Sequence, residues 1–294
     1  MKIIITGSLG NIGEPLSRQL IKEGHSLTVI SSNPHKQVEI EKIGAAAAIG
    51  SLHDAGFLGG SFAGADAVFC MIPPSYTQPD QIAYYHHLGE NYKKAILQAG
   101  VKRVVHLSSY GAHLPAGTGF IAGSYQVEQI LNTIEDIQLT HLRPTSFYYN
   151  LLAFIPMIKI AGFIGAVYGD GDRLAMVSPN DIAVAVAQEL VKTESTRQIR
   201  YVGSDDRTCN EVASVIGRAI GKPDLKWLTL PKEDVRNNLK KNGLKEEYAD
   251  KLVELSEAIH TGKLREDYDL HVLELGKVKL EEYAEEFAQI FNAK

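Results

Sequence analysis

What this chain of 294 residues lacks does much of the early sorting. It has two cysteines, Cys70 and Cys209, far apart and without partner spacing. Such a pair fits buried thiols better than a disulfide, a metal site or a nucleophile, and it suits a reducing cytoplasm. No metal is expected. No dense Lys/Arg block occurs, and the formal net charge is -5 with a pI near 6.1, which argues against a nucleic-acid partner. No apolar run reaches the length of about 18 residues that a membrane span needs. Met1-Lys2 leads straight into an apolar strand, unlike a secretory leader with its cleavage site. Internal repeats, low-complexity stretches and flexible linkers are missing too. What remains is an ordinary globular composition, 45% apolar and 22% charged, in a chain long enough for one large domain or two.

The most informative segment stands at the start. Lys2 to Ile5 is an apolar run suited to a buried parallel strand. Thr6 then opens Gly7-Ser8-Leu9-Gly10-Asn11-Ile12-Gly13, and a helical pattern from Ile12 to Glu23 follows. A strand, a glycine turn and a helix N-terminus form a phosphate cradle. Glycine permits the tight turn, the missing Cβ lets backbone approach a pyrophosphate, and free N–H groups with the helix dipole favour the anion. Gly7, Leu9, Gly10, Asn11, Ile12 and Gly13 are therefore candidate dinucleotide contacts. The competing reading is a turn that only packs helix on strand.

Strands and helices alternate from there. Further strands are expected at Leu27–Ser31, Ala45–Ile49, Asp66–Ile72, Lys102–Leu107 and Gln138–Leu142, with helices at Pro34–Ile43, Pro79–Ala99 and Ile121–Ile134 between them. Ser51-Leu-His-Asp54 looks like a capping box for one more helix. This order predicts an α/β, Rossmann-type, doubly wound parallel sheet whose ligands bind beyond the carboxyl ends of the strands. The loops at Gly7–Gly13, Ser31–Lys36, Gly50–Leu52, Met71–Pro74, Ser108–Gly111 and Arg143–Phe147 then share one rim. After about residue 150 the chain changes character, with helices expected at Asn180–Lys192, from a Thr208–Glu211 capping box to Ile220, and at Pro231–Lys240, Leu244–Ala258 and Lys279–Phe291, and a strand at Ile199–Val202. The expected division is a nucleotide-binding domain, 1–150, and a smaller, mostly helical substrate lobe, 151–294, intertwined as one compact unit.

A second absence bears on the cofactor. A free ribose 2′-hydroxyl usually meets an Asp or Glu at the end of the second strand. Here that place holds Ser31, Ser32 and Asn33. Without an acid, a 2′-phosphate meets no repulsion; the serines can donate to it and Lys36 can add charge. No Arg offers a bidentate clasp. NADP(H) is preferred and NAD(H) stays open; alternatively the serines only cap the turn after Pro34. Ser51 and Leu52, in the loop after the third strand, complete this side of the rim.

With these elements placed, the chain resembles the NmrA-like, atypical short-chain dehydrogenase/reductase family, and within it the NAD(P)H:quinone oxidoreductase type 2 branch. The residues that carry the resemblance are Thr6–Gly13, Ser32-Asn-Pro34, Gln98–Ser109, His141–Leu152, Asp181-Ile-Ala183 and the closing Lys279–Phe287. They span nearly the whole chain. The resemblance implies that Met71, Ile72 and Pro73 flank the ribose–nicotinamide side, that Ser108 and Ser109 lie beside the nicotinamide, and that Pro144, Thr145 and Phe147 approach its carboxamide. Tyr148 or Asn150 is then expected to face the pocket of a small-molecule electron acceptor. Simple turn chemistry and aromatic core packing are the alternatives.

The third absence narrows the chemistry. Family members with ordinary reductase or epimerase activity carry Tyr-x-x-x-Lys at the start of the helix after the fifth strand. Aligned on Glu128 and Arg143-Pro144, the lysine position holds Ser124, here a candidate cofactor contact, and the tyrosine position holds Phe120. A shift by one gives Tyr125 with Gln129, still without the lysine. Reducing a ketone yields an alkoxide that needs a tuned acid; reducing a quinone yields a far less basic, phenolate-like anion. The pattern favours hydride transfer to an electron-poor acceptor, with a non-catalytic redox sensor acting through a protein partner as the alternative and a sugar epimerase below both. Among other residues, Glu128 is expected as an exposed helical acid, with orienting the neighbouring helix as its alternative, and His113 as a weak general-acid candidate. The loop Gly111–Gly119 reads as a lid or a solvated connection. His86 and His87 suit a surface or a homodimer face.

Overall fold

The apolar runs of the first half become six short strands: β1 (Lys2–Ile5), β2 (Ser26–Ser31), β3 (Ala46–Ile49), β4 (Ala67–Cys70), β5 (Arg103–Leu107) and β6 (Gln138–Pro144). In the computed structural model, which describes residues 1–75, 78–193, 197–271 and 274–293, they lie in the order β3-β2-β1-β4-β5-β6, every neighbouring pair parallel. A seventh strand, Arg197–Val202, adds next to β6. Ile3, Ile4 and Ile5 are fully buried, as expected of a central parallel strand covered on both faces. Chain order reverses between β1 and β4, and that switch point is where such a sheet opens a crevice at its carboxyl edge. The α/β, doubly wound reading is correct.

By contacts the chain divides into two units, the first made of Met1–Ala112, Gly123–Arg143 and Ile182–Arg200. Its helices include α1 (Gly13–Lys22), α2 (Gln37–Lys42), α3 (Ala55–Phe62), α4 (Gln81–Ala99) and α5, which begins at Ile121 and ends at Asn132. α4 stops at Gly100, whose left-handed φ of 65° suits a residue without Cβ. Glycine also lets α4 and α5 touch: a Cβ on Gly123 would lie 2.9 Å from Tyr85 Cβ, and one on Gly89 3.2 Å from Ile130. Val68, Cys70, Tyr92, Ile96, Val104, Val127 and Leu131 form the core beneath them. The expected box at Ser51 is not the cap of α3. Asp54 caps it, accepting from Phe57 N at 2.9 Å, while Ser51 Oγ accepts from His53 N at 3.2 Å.

The second unit comprises His113–Ala122, Pro144–Asp181 and Tyr201–Lys294. It is mostly helical, as expected, but it also has two small sheets that the sequence reading omitted: Asp205–Thr208, Arg173–Val177 and Ser146–Phe147 in one, Trp227–Thr229 and Ile164–Ala166 in the other. The Thr208–Glu211 capping box is present in both directions. Tyr148, Trp227, Leu280 and Phe287 lie in its core. The glycine-rich loop, read as a lid or a solvated connection, exposes Pro115 and Ala116 but is packed at its far end. A Cβ on Gly119 would meet the Lys251 carbonyl at 2.3 Å, Phe120 lies on Tyr248 at 4.5 Å, and Thr118 is fully buried. These contacts dock the segment on the helix Glu246–His260.

Candidate functional site

In the first unit the loop between β1 and α1 is held from below. Thr6 Oγ1 donates to Phe69 O at 3.1 Å and accepts from Met71 N at 2.9 Å, tying the ends of β1 and β4 together. Gly7 has φ +94°, and a Cβ there would meet Met71 Sδ at 2.4 Å. At Gly13 a Cβ would lie 2.0 Å from Ser8 O, so this glycine serves the turn itself. Gly10 differs: its Cβ would meet only Gly7 O, at 3.6 Å, an ordinary contact. Nothing in the protein demands glycine there, whereas a ligand approaching the backbone would. The N–H groups of Asn11, Ile12 and Gly13 find no backbone carbonyl among the described residues. Ser8, in the left-handed region at φ 59°, buries a hydroxyl with no hydrogen-bond partner among the described residues. A shaped, donor-rich and under-satisfied loop of this kind fits a pyrophosphate.

The end of β2 also fits a dinucleotide. Ser31 is buried, and its Oγ accepts from Asn33 N at 3.2 Å. Ser32 is exposed. Asn33, not a serine, caps the turn after Pro34, accepting from His35 N at 3.0 Å. Lys36 is already engaged with Glu39 at 2.6 Å, so its charge is partly answered within the turn. Ser51 is exposed and Leu52 half-buried beside β3, and the Leu52 carbonyl accepts from Asn91 at 3.1 Å.

Beyond β4, three tyrosines of α4 hold three successive carbonyls. Tyr92 donates to Met71 O at 2.6 Å, Tyr85 to Ile72 O at 3.4 Å and Tyr84 to Pro73 O at 3.2 Å. The sequence reading placed Met71, Ile72 and Pro73 on the rim but missed the helix that fixes them. The spacing of 85 and 92 puts those two on one helical face, with Tyr84 about 100° away at its edge.

At the end of β5, Ser108 is buried and donates to Glu128 Oε1 at 2.5 Å. Glu128 is not exposed as expected: it is 2% accessible and faces Arg143 through Nε at 2.9 Å and Nη2 at 2.6 Å. Ser124 lies one turn before it on α5, also buried. Ser109 is half-buried and its hydroxyl donates to Tyr110 O at 3.2 Å. Deeper in the sheet, His106 and His141 meet Nδ1 to Nδ1 at 3.0 Å, and Asn132 Oδ1 lies 3.2 Å from His141 Nε2. Burial pushes both imidazoles well below their usual range. Cys70 and Cys209 are free and buried, and burial raises both thiols, that of Cys209 to about 12.

The second unit holds the other candidates. Pro144 is buried and Phe147 half-buried, the latter stacked on Tyr149 at 5.1 Å. Thr145 is 4% exposed; its N–H donates to Val202 O at 3.0 Å and its hydroxyl has no partner among the described residues. Tyr148 is fully buried, stacked on Tyr283 at 5.1 Å, and donates to Val278 O at 3.2 Å. Burial raises its phenol far above the ordinary range. Asn150 is exposed, its amide 3.3 Å from Ser146 Oγ. Among the described residues no cluster suits a metal, and no helix is long and apolar enough to cross a membrane.

Comparison with known proteins adds relatives along most of the chain. A model of the NmrA-like family matches residues 1–284. The chain is 27% identical over 256 residues to an NAD(P)H azoreductase of Xenophilus azovorans, covering 86% of this chain and 85% of that protein. It is 27% identical over 222 residues to a (4-alkanoyl-5-oxo-2,5-dihydrofuran-3-yl)methyl phosphate reductase of Streptomyces griseus, covering 75% and 74%. Among solved structures, an NADPH-dependent quinone oxidoreductase of Escherichia coli complexed with NADPH superposes with TM-score 0.79 at 22% identity, covering 99% of this chain and 100% of that one. A triphenylmethane reductase of Citrobacter gives TM-score 0.80 at 20% identity, covering 98% and 100%.

Proposed function

The chain belongs to the NmrA-like family, and from that premise we propose that it is an NADPH-dependent oxidoreductase that passes hydride to a quinone or similar electron-poor acceptor without a tyrosine–lysine pair. The observation that carries the cofactor half is the open face at Gly10, where the fold tolerates a side chain that a bound pyrophosphate would not. Ser31 and Ser32, with no carboxylate beside them at the end of β2, support NADPH over NADH, although NADH remains a second substrate to try. Two relatives that match most of the chain are named reductases, one of them an NAD(P)H azoreductase.

The reduced nicotinamide, when bound, supplies the hydride. This chain's residues bind and orient: the Gly7–Gly13 loop takes the pyrophosphate, the tyrosine-held carbonyls of 71–73 keep their strand end rigid, and Thr145 offers a hydroxyl to the carboxamide. With Phe120 packed against Tyr248 and Ser124 buried, neither position of the usual pair carries an acid. An acceptor whose reduced form is a weakly basic anion needs none. Asn150, exposed, is assigned to the acceptor; Tyr148, buried and engaged with Val278, is assigned to packing.

The test mixes the protein with NADPH and a series of small quinones and azo compounds, and follows the nicotinamide absorbance band. Turnover with at least one acceptor is expected, with NADPH favoured over NADH and Asn150→Ala raising KM several-fold. Tight NADPH binding with no turnover across the series would instead support the non-catalytic sensor.

A further inference from the structure

In the second unit, the glycine-rich loop packed on the helix Glu246–His260 also gathers hydrogen-bond donors around a cation that nothing answers. Lys263, half-buried just past the end of that helix, lays its ammonium over the loop: a Cβ on Gly117 would lie 2.6 Å from Lys263 Nζ. Among the described residues this ammonium has neither a hydrogen bond nor an ion pair. Two acids near the end of the helix are taken elsewhere, Glu254 by Lys251 at 2.7 Å and Glu257 by Lys232 at 3.0 Å. The loop beneath Lys263 is rich in donors. φ is positive at Gly117 (79°) and Gly119 (62°) and negative at Ala116 and Thr118, the alternation of a backbone nest that receives anions. From Ala116 to Phe120 no N–H reaches a backbone carbonyl among the described residues. Thr118, between the two glycines, is fully buried, and its hydroxyl has no partner among the described residues either. A buried hydroxyl and a half-buried ammonium left unanswered both cost free energy, and an oxyanion satisfies donors of each kind.

We propose that Lys263, with the loop Ala116–Phe120, forms an oxyanion subsite that holds an anionic substituent of the electron acceptor. The phosphates of NADPH are assigned to the loops after β1 and β2 in the first unit, so an anion held here belongs to another molecule. That this molecule is an acceptor rests on the oxidoreductase reading above; the subsite itself stands on Lys263, Thr118 and the loop. An ammonium is a point charge without the planar fork of a guanidinium, and a nest of N–H groups likewise takes any compact oxyanion. The chemistry recognised is therefore a carboxylate, sulfonate or phosphate borne by the acceptor, and a neutral quinone leaves the subsite unfilled.

The experiment compares two quinones that differ by one group, 1,4-naphthoquinone and its 2-sulfonate, turned over with NADPH by the wild type, Lys263→Met and Thr118→Val. The redox-inert naphthalene-2-sulfonate is titrated against each protein by calorimetry. The wild type should show the lower KM for the sulfonate. Lys263→Met should raise that KM, relative to the neutral quinone's, and the Kd of naphthalene-2-sulfonate by roughly tenfold, the loss of one charge-assisted hydrogen bond. Thr118→Val, close in shape, should move both in the same direction by less, and it carries the comparison if Lys263→Met melts early. An unchanged KM ratio and Kd in Lys263→Met of wild-type Tm overturn the proposal, as does a wild type that binds no naphthalene-2-sulfonate. Weaker NADPH binding in Lys263→Met overturns it too, by giving the anion to the cofactor. No turnover of either quinone, with a Kd that still depends on Lys263, defeats the reductase reading and leaves the subsite standing.

Discussion

Gly10 and Gly13 sit three residues apart in one loop, yet a methyl group added to each meets opposite surroundings. At Gly13 it would strike the Ser8 carbonyl; at Gly10 it would make only an ordinary contact with the Gly7 carbonyl at 3.6 Å. Gly10→Ala should therefore fold with near-wild-type Tm while binding NADPH about ten- to a hundredfold more weakly, because forcing a methyl into a filled contact costs on the order of 1–3 kcal/mol. Gly13→Ala should lower Tm first. A thermal melt beside a fluorescence titration separates the two, and unchanged affinity in Gly10→Ala would remove the loop from the cofactor site. The spacing of these glycines was legible in the sequence; their separate reasons were not, because they depend on which backbone atoms the turn brings near. Glu128 was misread for a related cause. Nothing local marks a helical glutamate as the partner of an arginine on a strand fifteen positions later, and only the register of β6 beneath α5 makes the pair.

Strands and helices were the most legible scale. The buried strands announced themselves as short apolar runs, and the Thr208 cap as a box, because both signals are local. Strands of two or three residues, such as Ser146–Phe147 and Ile164–Ala166, were missed because they have no period to detect, whereas the five-residue run Arg173–Val177 offered a signal that was overlooked. Elements also carry chemistry that single residues do not. β5 and β6 pair His106 with His141 in register, side by side and buried. Burial, reinforced for His106 by its neighbour and for His141 by Arg143 and Arg197, holds both imidazoles well below their usual value of about 6.5. The unfolded chain then takes up protons below that pH while the native protein does not. Stability contributed by the neutral pair is complete above about pH 6.5 and is lost as pH falls below it, with a slope of up to about 1.4 kcal/mol per pH unit for each histidine. Urea midpoints at pH 7.5, 6.0 and 5.0 should decline accordingly, and His106→Gln should flatten the decline. Equal slopes in both proteins would show that the pair does not titrate as argued.

For the whole molecule, intertwined units were expected from the sequence with a division near residue 150, but which segment returns to the first unit was not legible. The helix Pro179–Val191 and the strand Arg197–Val202 come from the second half, yet Ile182–Arg200 is part of the first unit. Their attachment is polar as well as apolar: Glu189, 3% exposed, accepts from Thr140 at 3.1 Å, Gln198 at 2.5 Å and Arg200 at 3.0 Å. Sequence carries no mark of such a return, because no linker composition accompanies it. A fragment of residues 1–150 should accordingly fail to unfold cooperatively by circular dichroism and should aggregate, whereas the full chain melts in a single NADPH-shifted transition or two. A soluble, cooperative fragment would mean that β6 can serve as a stable edge unaided.

That returning strand also sets a timetable for the nascent chain. About fifty residues separate the end of β6 from the start of its partner at Arg197. At a synthesis rate of roughly 5–20 residues per second, the growing sheet stands for some 3–10 seconds with an unprotected edge of backbone donors and carbonyls. Until that strand emerges from the ribosome, the first unit is a template on which another chain could pair, so the segment most exposed to misassembly during synthesis is one that the finished fold hides.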